Sequence, residues 1–127
     1  YVKNNNLEKN VDFLTNVNDP IKFYKLADLF VLSSIYEGFG NVLVEALHNK
    51  CPVITSNCNS GPMEIIKRGK YGDFFNVGDY MALSNKIIKF LENPKKLKRK
   101  ALKLKKSFKE FTLKKNSENF QKLFKKI

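Results

Sequence analysis

A chain of 127 residues, 43% hydrophobic and 28% charged, is one domain's worth of protein with enough apolar residues for a core. Two cysteines and one histidine leave no disulfide framework and no zinc set, and no run reaches the roughly 18 apolar residues of a membrane span. The net charge of +12 is uneven: residues 1–94 balance ten basic against ten acidic groups, while residues 95–127 set fourteen basic groups against Glu110 and Glu118.

The chain opens on Tyr1 with no signal-peptide pattern, so a cut N-terminus and a reducing cytoplasmic setting are expected. Residues 11–14, Val-Asp-Phe-Leu, read as a short strand. Asp19-Pro20 starts a helix to about Leu26, with Asp able to cap and Pro suited to the first turn. Ile21, Phe23, Tyr24 and Ala27 are its expected apolar face. Leu29-Phe30-Val31-Leu32 is a continuous apolar strand of the kind covered on both sheet faces. A helix over 41–48 and a second buried strand over 52–56 follow.

The polar loop Asn57–Gly61 leads to Pro62 and a short helix, Met63–Lys67. Gly69 and Gly72 bracket a turn before a short strand over 73–76. Asp79 caps the next helix, whose Tyr80, Leu83, Ile87, Ile88 and Leu91 keep helical spacing until Asn93-Pro94 breaks it. Two basic amphipathic helices are expected beyond. Leu97, Ala101, Leu104, Phe108 and Phe111 stripe the first, and Phe120, Leu123, Phe124 and Ile127 the second.

This alternation predicts an α/β fold, a Rossmann-like parallel sheet flanked by helices. Three or four strands fall short of the usual five or six, so the sheet is expected to be incomplete at its N-terminus. Residues 1–94 would form the α/β domain, and the helices of 95–127 would pack on it.

The segment from Ser33 to Leu47 carries the most chemistry. Glu37 stands ahead of the Gly38-Phe39-Gly40 turn, and Glu45 follows it by eight residues on the next helix. A strand, a glycine turn and a helix present free backbone N–H groups to a phosphate, with about half a positive charge at the helix tip. Glu45 lies about 7 Å along the axis from that tip, a reach that suits ribose hydroxyls beyond a bound diphosphate. Glu37 would then face the sugar. Spacing alone leaves a second reading open, in which Asn41, Glu45 and His48 form a solvent-facing stripe and Glu37 is a loop charge.

The chain from Val11 to about Leu91 resembles the C-terminal, donor-binding domain of retaining GT-B glycosyltransferases, the family often called glycosyltransferase family 4. The resemblance rests on Val11-Asp12-Phe13-Leu14, Ala27 to Ser34, the Glu37-to-Glu45 block, Pro52-Val53-Ile54, Ser60 to Ile65, the Gly72 turn and Gly78-Asp79. It implies that Glu37 contacts the donor sugar, as the catalytic-site acid, and that Glu45 contacts the ribose. It implies backbone contacts from Gly38, Phe39, Gly40, Asn41 and Val42 to sugar and diphosphate, and a nucleobase loop after Leu14, at Thr15. Ser60 and Gly61 are weaker backbone candidates.

The activity implied is transfer from a nucleotide-diphosphate sugar with retention, needing neither metal nor cofactor. Members with Ser-Gly-Pro often build bacterial surface polysaccharide or lipopolysaccharide, sometimes on lipid-linked acceptors. Departures from the pattern are Thr15 and Lys50 where many members carry Gly. The family's phosphate-binding Arg and Lys, and its acceptor-binding N-terminal domain, fall upstream of the matched region. That domain would have to act in cis or in trans, and the isolated chain is expected to show little turnover.

His48 reads as a solvated helix residue, Cys51 and Cys58 as buried or inert thiols, Glu64 as a helix-dipole partner and Asp28 as structural. The basic tail fits a solvated helical face or attraction to an anionic membrane surface, at the inner face of the membrane. Nucleic acid is not an expected partner, because the tail's aromatics are Phe at core spacing. Two rivals stand beside the transferase reading: a non-catalytic nucleotide-binding module or remnant of the same fold, and a basic nucleic-acid-binding domain.

Overall fold

A computed structural model describes residues 1–59 and 61–107, with side chains as far as Leu104. In chain order the elements are α1 (Ile21–Leu26), β1 (Phe30–Leu32), α2 (Asn41–His48), β2 (Val53–Ser56), α3 (Pro62–Ile65), β3 (Asp73–Phe75), α4 (Tyr80–Glu92) and α5 (Pro94–Ser107). The strands form one parallel sheet in the order β1-β2-β3. Phe30 lies opposite Val53, and Ser56 opposite Phe75. Parallel neighbours need crossovers, and the segments bearing α2 and α3 supply them.

Central β2 is buried at all four residues, while β1 is half-buried throughout. Successive strand residues point to opposite faces, so Val53 and Ile54 enter two separate cores. Val53 packs with Leu43, Leu47, Ile65, Ile66 and Tyr71 from the α2 and α3 side. Ile54 packs with Phe75, Phe90 and Leu97 on the other. α5 serves both layers, giving Ala101 and Leu104 to the first core and Leu97 to the second. Leu43, Leu47 and Ile65 have no exposed surface, and truncating any one to Ala would cost about 2–5 kcal/mol.

α2 ends in a left-handed cap. Lys50 takes φ 64°, its N–H donates to Leu47 O at 3.0 Å, and the Cys51 N–H donates to Ala46 O at 2.9 Å. This pair of bonds is a Schellman closure, which ordinarily recruits glycine. It turns the chain directly into β2. At the start of α4, Asp79 accepts from the Ala82 N–H at 2.8 Å, the cap expected from sequence.

Several expectations are corrected. Residues 11–14 do not form a strand: a strand is held by a neighbour's ladder, and no described strand lies beside them. Phe13 is 78% exposed there and Leu14 59%. On α1 only Tyr24 is buried, and Ile21 and Phe23 stay open on a face that no described element covers. α3 begins at Pro62 itself and ends at Ile65, short of Lys67. A 3-10 turn at Lys3–Asn5 was not foreseen. The Asn93 break and the buried Leu97, Ala101 and Leu104 match the first tail stripe. Phe108, Phe111 and the whole second tail helix, with Ser60, lie outside the described residues.

Candidate functional site

Three loops leave the carboxyl ends of the strands and are tied to one another. Ser56 Oγ, at the end of β2, donates to Ser34 O in the loop after β1. Asn57 joins the other two: its N–H donates to Phe75 O at 2.8 Å, its Nδ2 to Asn76 Oδ1 at 2.8 Å, and its Oδ1 accepts from the Val77 N–H at 3.0 Å. Open α/β sheets bind ligands at this edge, where helix N-termini and loops converge.

The turn into α2 is built on glycine. Gly40 is buried at φ 84° and ψ 48°, a conformation that costs other residues roughly 1–2 kcal/mol. The first bond closing the helix runs from the Leu43 N–H to Gly40 O at 2.9 Å, and no side chain caps the end. The N–H groups of Asn41 and Val42 therefore precede the helix ladder. Gly38, Phe39 and Asn41 are exposed, Val42 is half-buried, and no atom lies within 4 Å of where a Cβ on Gly38 would sit.

Gly61 brings the second loop against this turn. A Cβ on Gly61 would fall 2.1 Å from Phe39 O, so only glycine allows the approach, and φ 56° favours glycine as well. The start of α3 is thereby seated beside the start of α2. Gly61, a weak candidate from sequence, touches the turn directly.

Each acid is held by a neutral hydroxyl. Ser34 Oγ donates to Glu37 Oε1 at 2.7 Å, and Glu37 is half-buried. Tyr24 Oη donates to Glu45 Oε2 at 3.1 Å, and the Glu45 carboxylate is otherwise exposed. Tyr24 is 7% exposed and stacks edge-on against Phe30, with centroids 5.4 Å apart. Burial, then the bond to the Glu45 carboxylate and its charge, pushes the phenol up to about 12 from 10.0. Tyr24 thus stays a donor across the ordinary pH range.

Sequence reasoning missed both hydroxyls. Helical spacing marks Tyr24 only as an apolar position; a tyrosine where phenylalanine would pack equally well is the available signal. Ser34 offered no local signal.

The remaining candidates are dispersed. Leu14 and Thr15 are exposed, and no hydrogen bond or ion pair among the described residues ties them to the turn. His48 is exposed. Cys51 and Cys58 are buried, and burial pushes the Cys51 thiol up. Among the described residues no three His, Cys, Asp or Glu side chains gather as metal ligands would, and no helix is long and apolar enough to cross a membrane. The turn itself is an open surface. A cleft of about 340 Å³ lies elsewhere, against the first residue of β3, α4 and α5.

Chemically, the turn offers N–H groups and a helix dipole to an anion, with a carboxylate before the tip and another one helical turn behind it. That combination suits a charged phosphate joined to hydroxyl-bearing groups.

Comparison with known proteins shows the family and the fold. The family described as glycosyl transferases group 1 matches residues 1–111. The capsular polysaccharide biosynthesis glycosyltransferase CapM of Staphylococcus aureus is 38% identical over 84 residues, 66% of this chain and 22% of that protein. An N-acetylgalactosaminyltransferase of Campylobacter jejuni that acts on a diphospho-undecaprenol-linked sugar is 31% identical over 94 residues, 74% of this chain and 26% of that protein. Anabaena HepE, solved in complex with UDP, superposes with a TM-score of 0.88 at 24% identity, over 99% of this chain and 35% of its own, which shows the fold. The chain spans about a quarter of the length of these two curated relatives. Its sheet is the Rossmann-like part of a GT-B fold, and the chain belongs to the glycosyl transferases group 1 family.

Proposed function

We propose that the chain binds the nucleotide-diphosphate sugar for a polysaccharide-, lipopolysaccharide- or lipid-linked glycosyl transfer that proceeds with retention and needs no metal. The observation that carries this reading is the uncapped, glycine-entered N-terminus of α2, flanked by Glu37 and Glu45. The diphosphate lies across the N–H groups from Phe39 to Val42, where the helix dipole offsets the charge that grows as the glycosidic bond breaks. Glu45 accepts from the ribose hydroxyls and Glu37 from the sugar. The leaving phosphate takes the acceptor proton. The UDP complex of HepE supports a nucleoside diphosphate as the ligand class. An acceptor-binding domain in cis or in trans completes the reaction, and basic α5 faces an anionic membrane surface.

Calorimetric titration of the full chain with UDP and other nucleoside diphosphates tests the donor site. Saturable binding that weakens about tenfold in both Glu37→Ala and Glu45→Ala supports it; binding unchanged by either substitution removes it. Robust sugar transfer to a defined acceptor by the chain alone would overturn the need for a second domain.

A further inference from the structure

Four lysines line the 340 Å³ cleft: Lys86 and Lys89 from α4, and Lys96 and Lys100 from α5. The one carboxylate lining it is Asp73, the first residue of β3. The cleft therefore sits against the amino end of β3, whereas the glycine turn follows the carboxyl end of β1. Its walls are fixed from beneath, because Phe90 is 5% and Leu97 7% exposed, both in the core below β3.

The lysines are only partly satisfied by the fold. Lys86 Nζ is 3.3 Å from Asp73 Oδ1, and Lys100 Nζ donates to Gly72 O at 3.1 Å. Among the described residues no acceptor meets the ammonium groups of Lys89 and Lys96. The arrangement is costly within the chain. Lys96 and Lys100 stand at i and i+4, where like charges repel. Lys95 and Lys96 occupy the first turn of α5, which holds no acid and whose dipole disfavours cations there. A neighbouring hollow shares Lys96 and Lys100 and adds Arg99 and Lys103, which extends the same field. An anion held between the two helices offsets the repulsion between Lys96 and Lys100 and the unfavourable place of Lys96 in the first turn of α5.

We propose that this cleft is a binding site for a phosphate group, separate from the glycine turn. Lysine ammonium groups bind phosphate as compact point charges through charge-assisted hydrogen bonds. Lys89 and Lys96 are the principal ligands, with Lys86 and Lys100 supporting them from positions already anchored by Asp73 and Gly72. The phosphate comes either from a soluble phosphorylated molecule or from the headgroup of an anionic lipid.

The test uses the full chain at low salt, titrated with inorganic pyrophosphate and followed by amide shifts in α4 and α5. Saturable binding is expected to weaken at least tenfold in Lys89→Gln/Lys96→Gln. The charge-matched control Lys9→Gln/Lys25→Gln, away from the cleft, should bind as the parent chain does. Circular dichroism checks that both variants fold. In a second arm, co-sedimentation with phosphatidylglycerol but not phosphatidylcholine vesicles, lost in the cleft variant alone, assigns the phosphate to lipid. Pyrophosphate binding without vesicle binding assigns it to a soluble ligand. No saturable pyrophosphate binding, or equal weakening in both double variants, overturns the proposal in favour of a diffuse basic face.

Discussion

The Tyr24 phenol on α1 donates to the Glu45 carboxylate on α2 across 3.1 Å, linking the one buried residue of α1 to an exposed acid at the candidate site. The tyrosine is fixed by burial and by its edge-on contact with Phe30. The long, exposed glutamate is thus held at one end by a rigid partner, and side-chain freedom that ligand binding would otherwise remove is already restricted. Tyr24→Phe keeps the packing and deletes the donor. It should lower stability by about 1 kcal/mol and weaken nucleoside diphosphate binding about threefold to tenfold. Chemical denaturation and calorimetry measure the two effects. Undiminished binding in the variant would show that Glu45 needs no support.

The same phenol gives a pH signature. Its folded pKa, about 12, lies above the ordinary 10.0. A group raised in this way contributes its full stabilisation below the unfolded value and loses it as pH rises toward the folded one. The parent chain should therefore lose stability between about pH 10 and 12 more steeply than Tyr24→Phe. Subtracting the two denaturation series cancels the lysines, which titrate in the same range in both proteins. Parallel curves would refute the linkage.

Much of the fold was legible because its signals are local. The Asp79 cap, the Asn93 break and the apolar run into β1 each depend on residues within one or two turns, and each lies where the pattern puts it. Residues 11–14 failed for the opposite reason. Their composition suits a strand, but strands exist only by pairing, and no partner stands among the described residues. In the site, the glycine turn was readable from Gly38, Gly40 and their spacing. The Tyr24–Glu45 bond joins residues 21 apart in sequence, and the Gly61–Phe39 contact crosses from one loop to the next. No window of sequence holds either relationship.

Lys50 carries a cost that substitution should recover. Its φ of 64° closes the α2 cap in a region where a Cβ is penalised by about 1 kcal/mol, and glycine is not. Lys50→Gly should raise stability by about 0.5–1 kcal/mol, or several degrees in Tm. The lost helix-end cation offsets a few tenths of this gain. Lys50→Ala removes the charge but keeps the Cβ, so it should bring no gain. A thermal melt of the three proteins decides the matter, and equal behaviour of Gly and Ala would rule out backbone strain.

Two glycines of the turn region separate scaffolding from ligand contact. At Gly61 an added Cβ meets Phe39 O at 2.1 Å in a left-handed backbone, so Gly61→Ala should cost about 2–3 kcal/mol and shift the Phe39 peptide. At Gly38 the added methyl meets no atom within 4 Å, so Gly38→Ala should change stability by less than about 0.5 kcal/mol. Binding reads differently. If a sugar diphosphate lies close against the backbone of the tip, the Gly38 methyl projects toward it and weakens binding without destabilising the chain. Paired melts and titrations therefore expect Gly61→Ala to lose both properties and Gly38→Ala to lose binding alone. A Gly38→Ala chain that binds as tightly as its parent would place the ligand away from this peptide and leave the turn a structural element of the sheet edge.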